Sequence, residues 1–301
     1  MRQIRLRRLR RRLGLYEPSI AAPKPMDPTS VLQRRRVFET LPVYPECPDG
    51  WRTGPPDFVI FGAQKSGTTW WFRLIEQHPG VVQPKNQRPE LHFFDRLWEE
   101  WPDEAAIARY HRYFPRPDGS LIGEKTPEYL SCPWAPPMVK SAAPEAKAIV
   151  LLRDPVERYI SGLSHQDRGG LVDEVEGDGR LFGDRLRVVT DAISRGQYAT
   201  QLEWLIEAFG TDRLQILQYE RCAADASAQL ARTFAFLGLA PYAVPKEELA
   251  RPRNMAKLGK VPVPQQHLDL LRRYYRPEVE RLSRLMPDLD LSFWPHFKDL
   301  D

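Results

Sequence analysis

The 301-residue chain has little cysteine, no long apolar run and, over its first twelve residues, no acid at all. Its three cysteines, Cys47, Cys132 and Cys222, are odd in number and far apart. They supply neither a zinc-ligand spacing nor a disulfide framework. A reducing cytoplasm is the setting they predict. No stretch approaches the roughly 18 apolar residues of a membrane span, and no apolar signal-peptide region follows the N-terminus. No internal repeat is visible.

The missing acid at the N-terminus distorts the charge balance. Arg2, Arg5, Arg7, Arg8, Arg10, Arg11 and Arg12 crowd the start of a chain whose formal charge is +4. Take those seven from the 44 basic residues and 37 remain against 40 acidic, a body near −3. Such a body is not a nucleic-acid-binding surface, and any anion site in it must be local and built. The arginine-rich start reads as a solvated tail, with weak contact to an anionic membrane surface as its second reading.

Residues 1–56 are rich in arginine and proline and are expected to form an extended arm. Residues 57–301 are expected to form one α/β domain, for which the length suffices. Its apolar runs alternate with helical patterns, the mark of a mainly parallel sheet between helical layers. Strands are expected over 57–62, 91–94, 121–124, 147–152 and 213–218, about five in all. Helices are expected over 67–77, 103–113, 136–143, 155–166, 196–209, 225–237 and 264–285. Residues 169–184 are glycine-rich and acidic and read as a surface excursion, either a lid or a linker.

The most informative stretch runs Phe58-Val59-Ile60-Phe61-Gly62-Ala63-Gln64-Lys65-Ser66-Gly67-Thr68-Thr69-Trp70-Trp71. An apolar strand enters a glycine-, lysine- and hydroxyl-bearing turn, and an amphipathic helix leaves it. Amides at a helix start lack intrahelical partners and carry the positive end of the dipole, so the turn is a phosphate cradle. Gly62 and Gly67 keep the glycine spacing of a nucleotide P-loop. Thr68, however, stands where that loop has its lysine, and the lysine has moved upstream to Lys65. A lysine so placed reaches a phosphate but does not hold a γ-phosphate beside a metal. A donor that needs no magnesium fits better.

Lys65-Ser66-Gly67-Thr68-Thr69-Trp70 resembles the 5′-phosphosulfate loop of the sulfotransferases. Those enzymes use 3′-phosphoadenosine 5′-phosphosulfate (PAPS), release adenosine 3′,5′-bisphosphate and need no metal. The resemblance places Lys65, Ser66, Gly67, Thr68, Thr69 and Trp70 at the donor. A second segment, Ala148-Ile149-Val150-Leu151-Leu152-Arg153-Asp154-Pro155, is a buried-type strand ending in charge and a helix-starting proline. It continues to Ser161. Arg153 and Ser161, a forked cation and a hydroxyl, suit a phosphate and correspond to the family's 3′-phosphate segment. Two other readings stay open: Asp154 as the magnesium aspartate of a P-loop small-molecule kinase, or Arg153 and Asp154 as a structural pair and helix cap.

Between these segments lies Arg88-Pro89-Glu90-Leu91-His92-Phe93-Phe94-Asp95. As a strand it would turn Glu90, His92 and Phe94 one way, and Leu91, Phe93 and Asp95 the other. Glu90 and His92 are candidate proton acceptors; the plainer alternatives are an ion pair and a core histidine. The segment is similar to the acceptor-side motif of the heparan sulfate glucosaminyl sulfotransferases, in which the glutamate is the general base. Carried over, that residue is Glu90, with His92 and Asp95 beside it. Gly123-Glu124-Lys125-Thr126-Pro127 resembles a further family segment whose lysine reaches the active site, which places Lys125 there. The resemblance implies catalytic Glu90, Lys65, Lys125 and His92, and an acceptor site of Glu90, His92, Asp95 and Lys125. It implies a P-loop-containing three-layer sandwich and a hydroxylated acceptor, either a glycan or another small molecule or lipid. The basic stretch Arg251–Lys260 falls where the family covers its nucleotide. A non-catalytic module for sulfated glycans or acidic lipids, leaning on the arginine tail, is the third reading.

Overall fold

The computed structural model describes residues 43–84, 90–97, 100–166, 190–249 and 263–300. The arginine-rich start, the acidic stretch 169–184 and the basic stretch 251–260 lie outside the described residues.

Four parallel strands form the sheet: β1 (Phe58–Gly62), β2 (Gly123–Lys125), β3 (Lys147–Leu152) and β4 (Leu214–Gln218), in the order β2-β1-β3-β4. Every residue of β1 is buried, and β3 is buried after Lys147. Continuous apolar strands of this kind belong to parallel sheets covered on both faces. Helix α1 (Thr68–Ile75) follows β1, and α2 (Glu104–His111) precedes β2. Next come α3 (Ala135–Ala142), α4 (Pro155–Gln166) and α5 (Tyr198–Phe209). Beyond β4 lie α6 (Tyr219–Ala224), α7 (Ala226–Leu237), α8 (Lys246–Leu249) and the long α9 (Gln265–Leu285).

Alternation along the strands divides the core. Phe58, Ile60, Ile149 and Leu151 pack with Trp71 and Leu74 of α1 and with Leu230 and Phe234 of α7. From the other face, Phe61 meets Phe209 of α5 edge-on at 5.3 Å and Tyr129 at 6.1 Å. Helices thus cover both sides, as the three-layer expectation held.

One strand expectation fails and another shifts by two residues. The sheet has four described strands, not about five, because residues 91–94 are not a strand. Leu91, Phe93 and Phe94 are all buried, and His92 has a left-handed φ of 53°. Consecutive apolar side chains that must all be buried break the two-residue period; the chain turns at His92 so that Phe93 and Phe94 both reach Tyr110, at 5.2 and 4.7 Å between ring centres. Leu121 pairs with Val81 only as an isolated bridge, and β2 begins two residues later.

Residues 43–56, part of the expected arm, belong to the same compact unit as the rest of the described chain. Tyr44 packs on Tyr113 at 4.7 Å, with the Arg112 guanidinium 3.8 Å from the Tyr44 ring centre. Arg52 pairs with Asp118 at 2.7 Å.

From β1 the chain crosses by α1 towards β2, on one side in the sheet order. From β3 it crosses by α4 and α5 towards β4, on the other side. The order therefore reverses between β1 and β3, and open α/β sheets place their ligands in the crevice at the carboxyl ends of such strands.

Candidate active site

Two chain segments meet at that crevice. The turn after β1 has left-handed residues at Lys65 (φ 69°) and Gly67 (φ 81°). Such residues curl successive amides into an anion-binding concavity. Gly67 caps α1 with no side-chain hydrogen bond, so the amides of Thr68, Thr69 and Trp70 have no intrahelical acceptor. A side chain at Gly67 would put its Cβ 2.7 Å from the Tyr219 ring. Ser66 is fully buried and its Oγ has no hydrogen-bond partner. A buried hydroxyl left unpaired beside a ring of open amides fits a phosphate group. Thr68 is buried and Thr69 half-buried. The Trp70 indole packs into the core edge-on to Trp71 and Tyr219.

Arg153 leaves the end of β3 and reaches back to this turn. Its Nη1 donates to the Lys65 carbonyl at 3.4 Å, its Nη2 pairs with Glu157 Oε2 at 3.3 Å, and its guanidinium carbon lies 5.2 Å from the Tyr219 ring centre. The structure thus joins the two predicted donor segments. Ser161 lies further along α4, the helix that begins two residues after Arg153. Asp154 is buried and committed: Oδ1 accepts from the amides of Val156 (2.9 Å) and Glu157 (3.2 Å), capping α4, and Oδ2 accepts from the His296 amide at 3.2 Å and lies 3.1 Å from His296 Nδ1. Asp154 is thus a helix cap, and Arg153 pairs with Glu157 and not with Asp154.

The acceptor-side residues gather beside α1. Lys125, at the end of β2, is 1% exposed; its Nζ donates to Thr69 Oγ1 at 3.0 Å and to Glu90 Oε1. Glu90 Oε2 lies 3.4 Å from His92 Nε2, and His92 Nδ1 lies 2.8 Å from Asp95 Oδ2. The chain Thr69–Lys125–Glu90–His92–Asp95 therefore runs unbroken from the first turn of α1 to Asp95. The expected strand alternation is corrected here: the turn at His92 brings Asp95 to the face of Glu90 and His92, and sends Phe94 into the core.

Electrostatics follow from this chain. Burial pushes the Glu90 carboxyl up, but its bond to His92 and the Lys125 ammonium outweigh burial and hold it at about 2. Bonds to Asp95 and then Glu90 raise His92 to about 9 against its burial. Burial draws the Lys125 ammonium below its usual range, and Glu90 opposes that. At neutral pH the cluster holds an ionised carboxylate between two cations.

Sequence reasoning missed Glu124. It is 2% exposed and accepts from the hydroxyls of Tyr110, Thr126 (2.8 Å) and Tyr129 (2.8 Å). Burial still raises it to about 7, against those three donors. An acid next to buried Ile122 and Gly123 was the signal, since a buried charge demands partners. The sequence does not say which. Arg195, whose side chain is 11% exposed, bonds Glu128 (Nη1 to Oε2, 2.7 Å) and Asp191 (2.8 Å) and ties the segment before α5 to the residues after β2.

A family model described as a sulfotransferase domain matches residues 55–255. Human heparan sulfate glucosamine 3-O-sulfotransferase 3B1 is 32% identical over 189 residues, covering 61% of this chain and 46% of that protein. Human heparan sulfate glucosamine 3-O-sulfotransferase 6 is 28% identical over 257 residues, 76% of this chain and 71% of that protein. The chain thus spans less than half the length of the first of these relatives. A sulfotransferase crystal structure from Alicyclobacillus acidocaldarius superposes with a TM-score of 0.62 at 24% identity, over 80% of this chain and 99% of that one. That likeness is one of fold.

Proposed function

Because the chain belongs to the sulfotransferase family, we propose that it transfers a sulfuryl group from PAPS to the hydroxyl of an acceptor, a glycan in our reading. One observation carries this: Lys125 is held between Thr69 on the phosphate-cradling helix and Glu90 on the acceptor side, so donor and base share one cation. PAPS supplies a sulfuryl group already activated on a phosphate. The open amides of Thr68, Thr69 and Trp70, with the Ser66 hydroxyl, hold its 5′-phosphate. Arg153, with Ser161 further along α4, takes the 3′-phosphate. Lys65 offsets charge developing on the bridging oxygen. Glu90 receives the proton of the acceptor hydroxyl as the oxygen attacks in line. Its low basicity suits a hydroxyl whose proton becomes acidic only once the new sulfur–oxygen bond has begun to form. Charged His92 and Asp95 fix the orientation of Glu90.

The glycan reading is supported by the named substrates of the relatives and by the Glu-x-His-Phe-Phe-Asp segment. The capping role of Asp154 removes the aspartate that a kinase reading required. The three free cysteines support a reducing, cytoplasmic setting, and the N-terminal arginines remain the element proposed for weak contact with an anionic membrane. The deciding experiment incubates the protein with PAPS and a panel of glycans, phenols and lipid alcohols, with and without chelator. Mass spectrometry should show an added sulfo group on a glycan in both conditions. Phosphorylated product from ATP and magnesium, with none from PAPS, would overturn the reading.

A further inference from the structure

Glu124 lies on β2 beside Lys125 yet touches none of the site residues directly. Its partners do. The Tyr129 hydroxyl, which donates to Glu124 Oε1, accepts from the amides of Phe93 (3.0 Å) and Phe94 (3.4 Å). The Thr126 hydroxyl, which also donates to Oε1, accepts from the His92 amide at 3.5 Å. These amides belong to the turn at His92, where a left-handed non-glycine residue is held against its own preference. Both hydroxyls have one proton each, and Glu124 fixes where those protons point. The oxygen lone pairs are thereby turned to the loop amides.

We propose that Glu124 is a positioning residue for proton transfer: through Tyr129 and Thr126 it clamps the backbone of residues 92–94 and so holds Glu90 and His92 in place for the acceptor hydroxyl. This rests on the reading of Glu90 as the base. Tyr110 donates to the same carboxylate from α2 without contacting the loop amides by its hydroxyl, which gives the internal comparison. It separates a clamp on the loop from a general contribution to the core.

The test compares Tyr129→Phe, Glu124→Gln and Tyr110→Phe in the full chain. Tyr129→Phe and Glu124→Gln should lower kcat on the order of 10²-fold, the scale of a misplaced catalytic group. KM for PAPS and the affinity for adenosine 3′,5′-bisphosphate should stay within about twofold, since the donor cradle is not touched. Tyr110→Phe should cost kcat less than about threefold, as a group acting only on the core would. In a Glu90→Gln background, Tyr129→Phe should cost less than about threefold, because the base it positions is gone. A full multiplicative loss there, or an equal loss in Tyr110→Phe, overturns the proposal. Hydrogen exchange at the amides of residues 92–94 decides it independently of turnover: Tyr129→Phe should speed exchange there, and unchanged protection overturns the clamp. A wild-type protein that sulfates nothing would instead overturn the functional reading, and the exchange result would still stand on its own.

Discussion

Glu90 makes its bonds to two cations before any acceptor arrives, and that determines how it responds to change. Glu90→Gln keeps the shape and removes the proposed base. Turnover should fall about 10²–10⁴-fold, the usual worth of a positioned base, while calorimetry should show adenosine 3′,5′-bisphosphate binding retained. Unchanged turnover would take Glu90 out of the role. His92 carries a stability prediction. Its pKa rises from an ordinary 6.5 to about 9 in the folded protein through Asp95 and Glu90. A raised folded pKa adds stability that is fully present below pH 6.5 and lost as pH climbs through 9. Wild type should therefore exceed His92→Gln in thermal midpoint most clearly near pH 6, and the gap should close above pH 9. A gap independent of pH would mean that the imidazole acts by packing alone. The candidate residues Lys65, Glu90, Lys125 and Arg153 each stand in a short motif that the sequence displays. The bonds of Glu124 were not legible there, because its partners Tyr110 and Tyr129 come from separate elements and only burial makes them necessary.

At the level of elements, the turn from β1 into α1 is the most demanding piece of backbone. Gly67 is left-handed, caps the helix, and faces the Tyr219 ring at a distance no Cβ tolerates. Gly67→Ala should cost about 1–3 kcal/mol from overpacking, read as a lower denaturant midpoint, and should abolish donor-product binding by displacing the first-turn amides. An alanine variant with unchanged midpoint and binding would show that Tyr219 moves aside freely. This turn was readable in advance, since glycine spacing and hydroxyls announce it. The segment at 91–94 was not, although its residues alternate well enough for a strand. Three buried side chains in four positions, and hydroxyls waiting for its amides, pulled it into a turn instead.

Over the molecule as a whole, the compact unit starts at Val43 and not at Asp57. The thermal midpoint of the chain starting at Val43 is the reference. Removing 1–56 takes away the Tyr44–Tyr113 and Arg112–Tyr44 contacts and the Arg52–Asp118 pair. Midpoints of domains this size move about 2–4 °C for each kcal/mol lost, so the shorter protein should melt several degrees lower. Equal midpoints would return residues 43–56 to the arm. The same scale decides where the candidate site lies. The reversal of strand order between β1 and β3 sets the donor turn and Arg153 side by side, although 88 residues separate Arg153 from Lys65.

The amino-acid order alone settled what depends on near neighbours: the strand, turn and helix around Gly67, and the proline that starts α4. Tertiary structure alone settled what depends on distant partners. It made Asp154 a cap bonded to His296, bent the chain at His92 so that Asp95 joins Glu90, and gave Glu124 its three hydroxyls. The physical reason is that burying a polar group away from water obliges it to find a partner, and which partner is near enough is known only once the chain has folded.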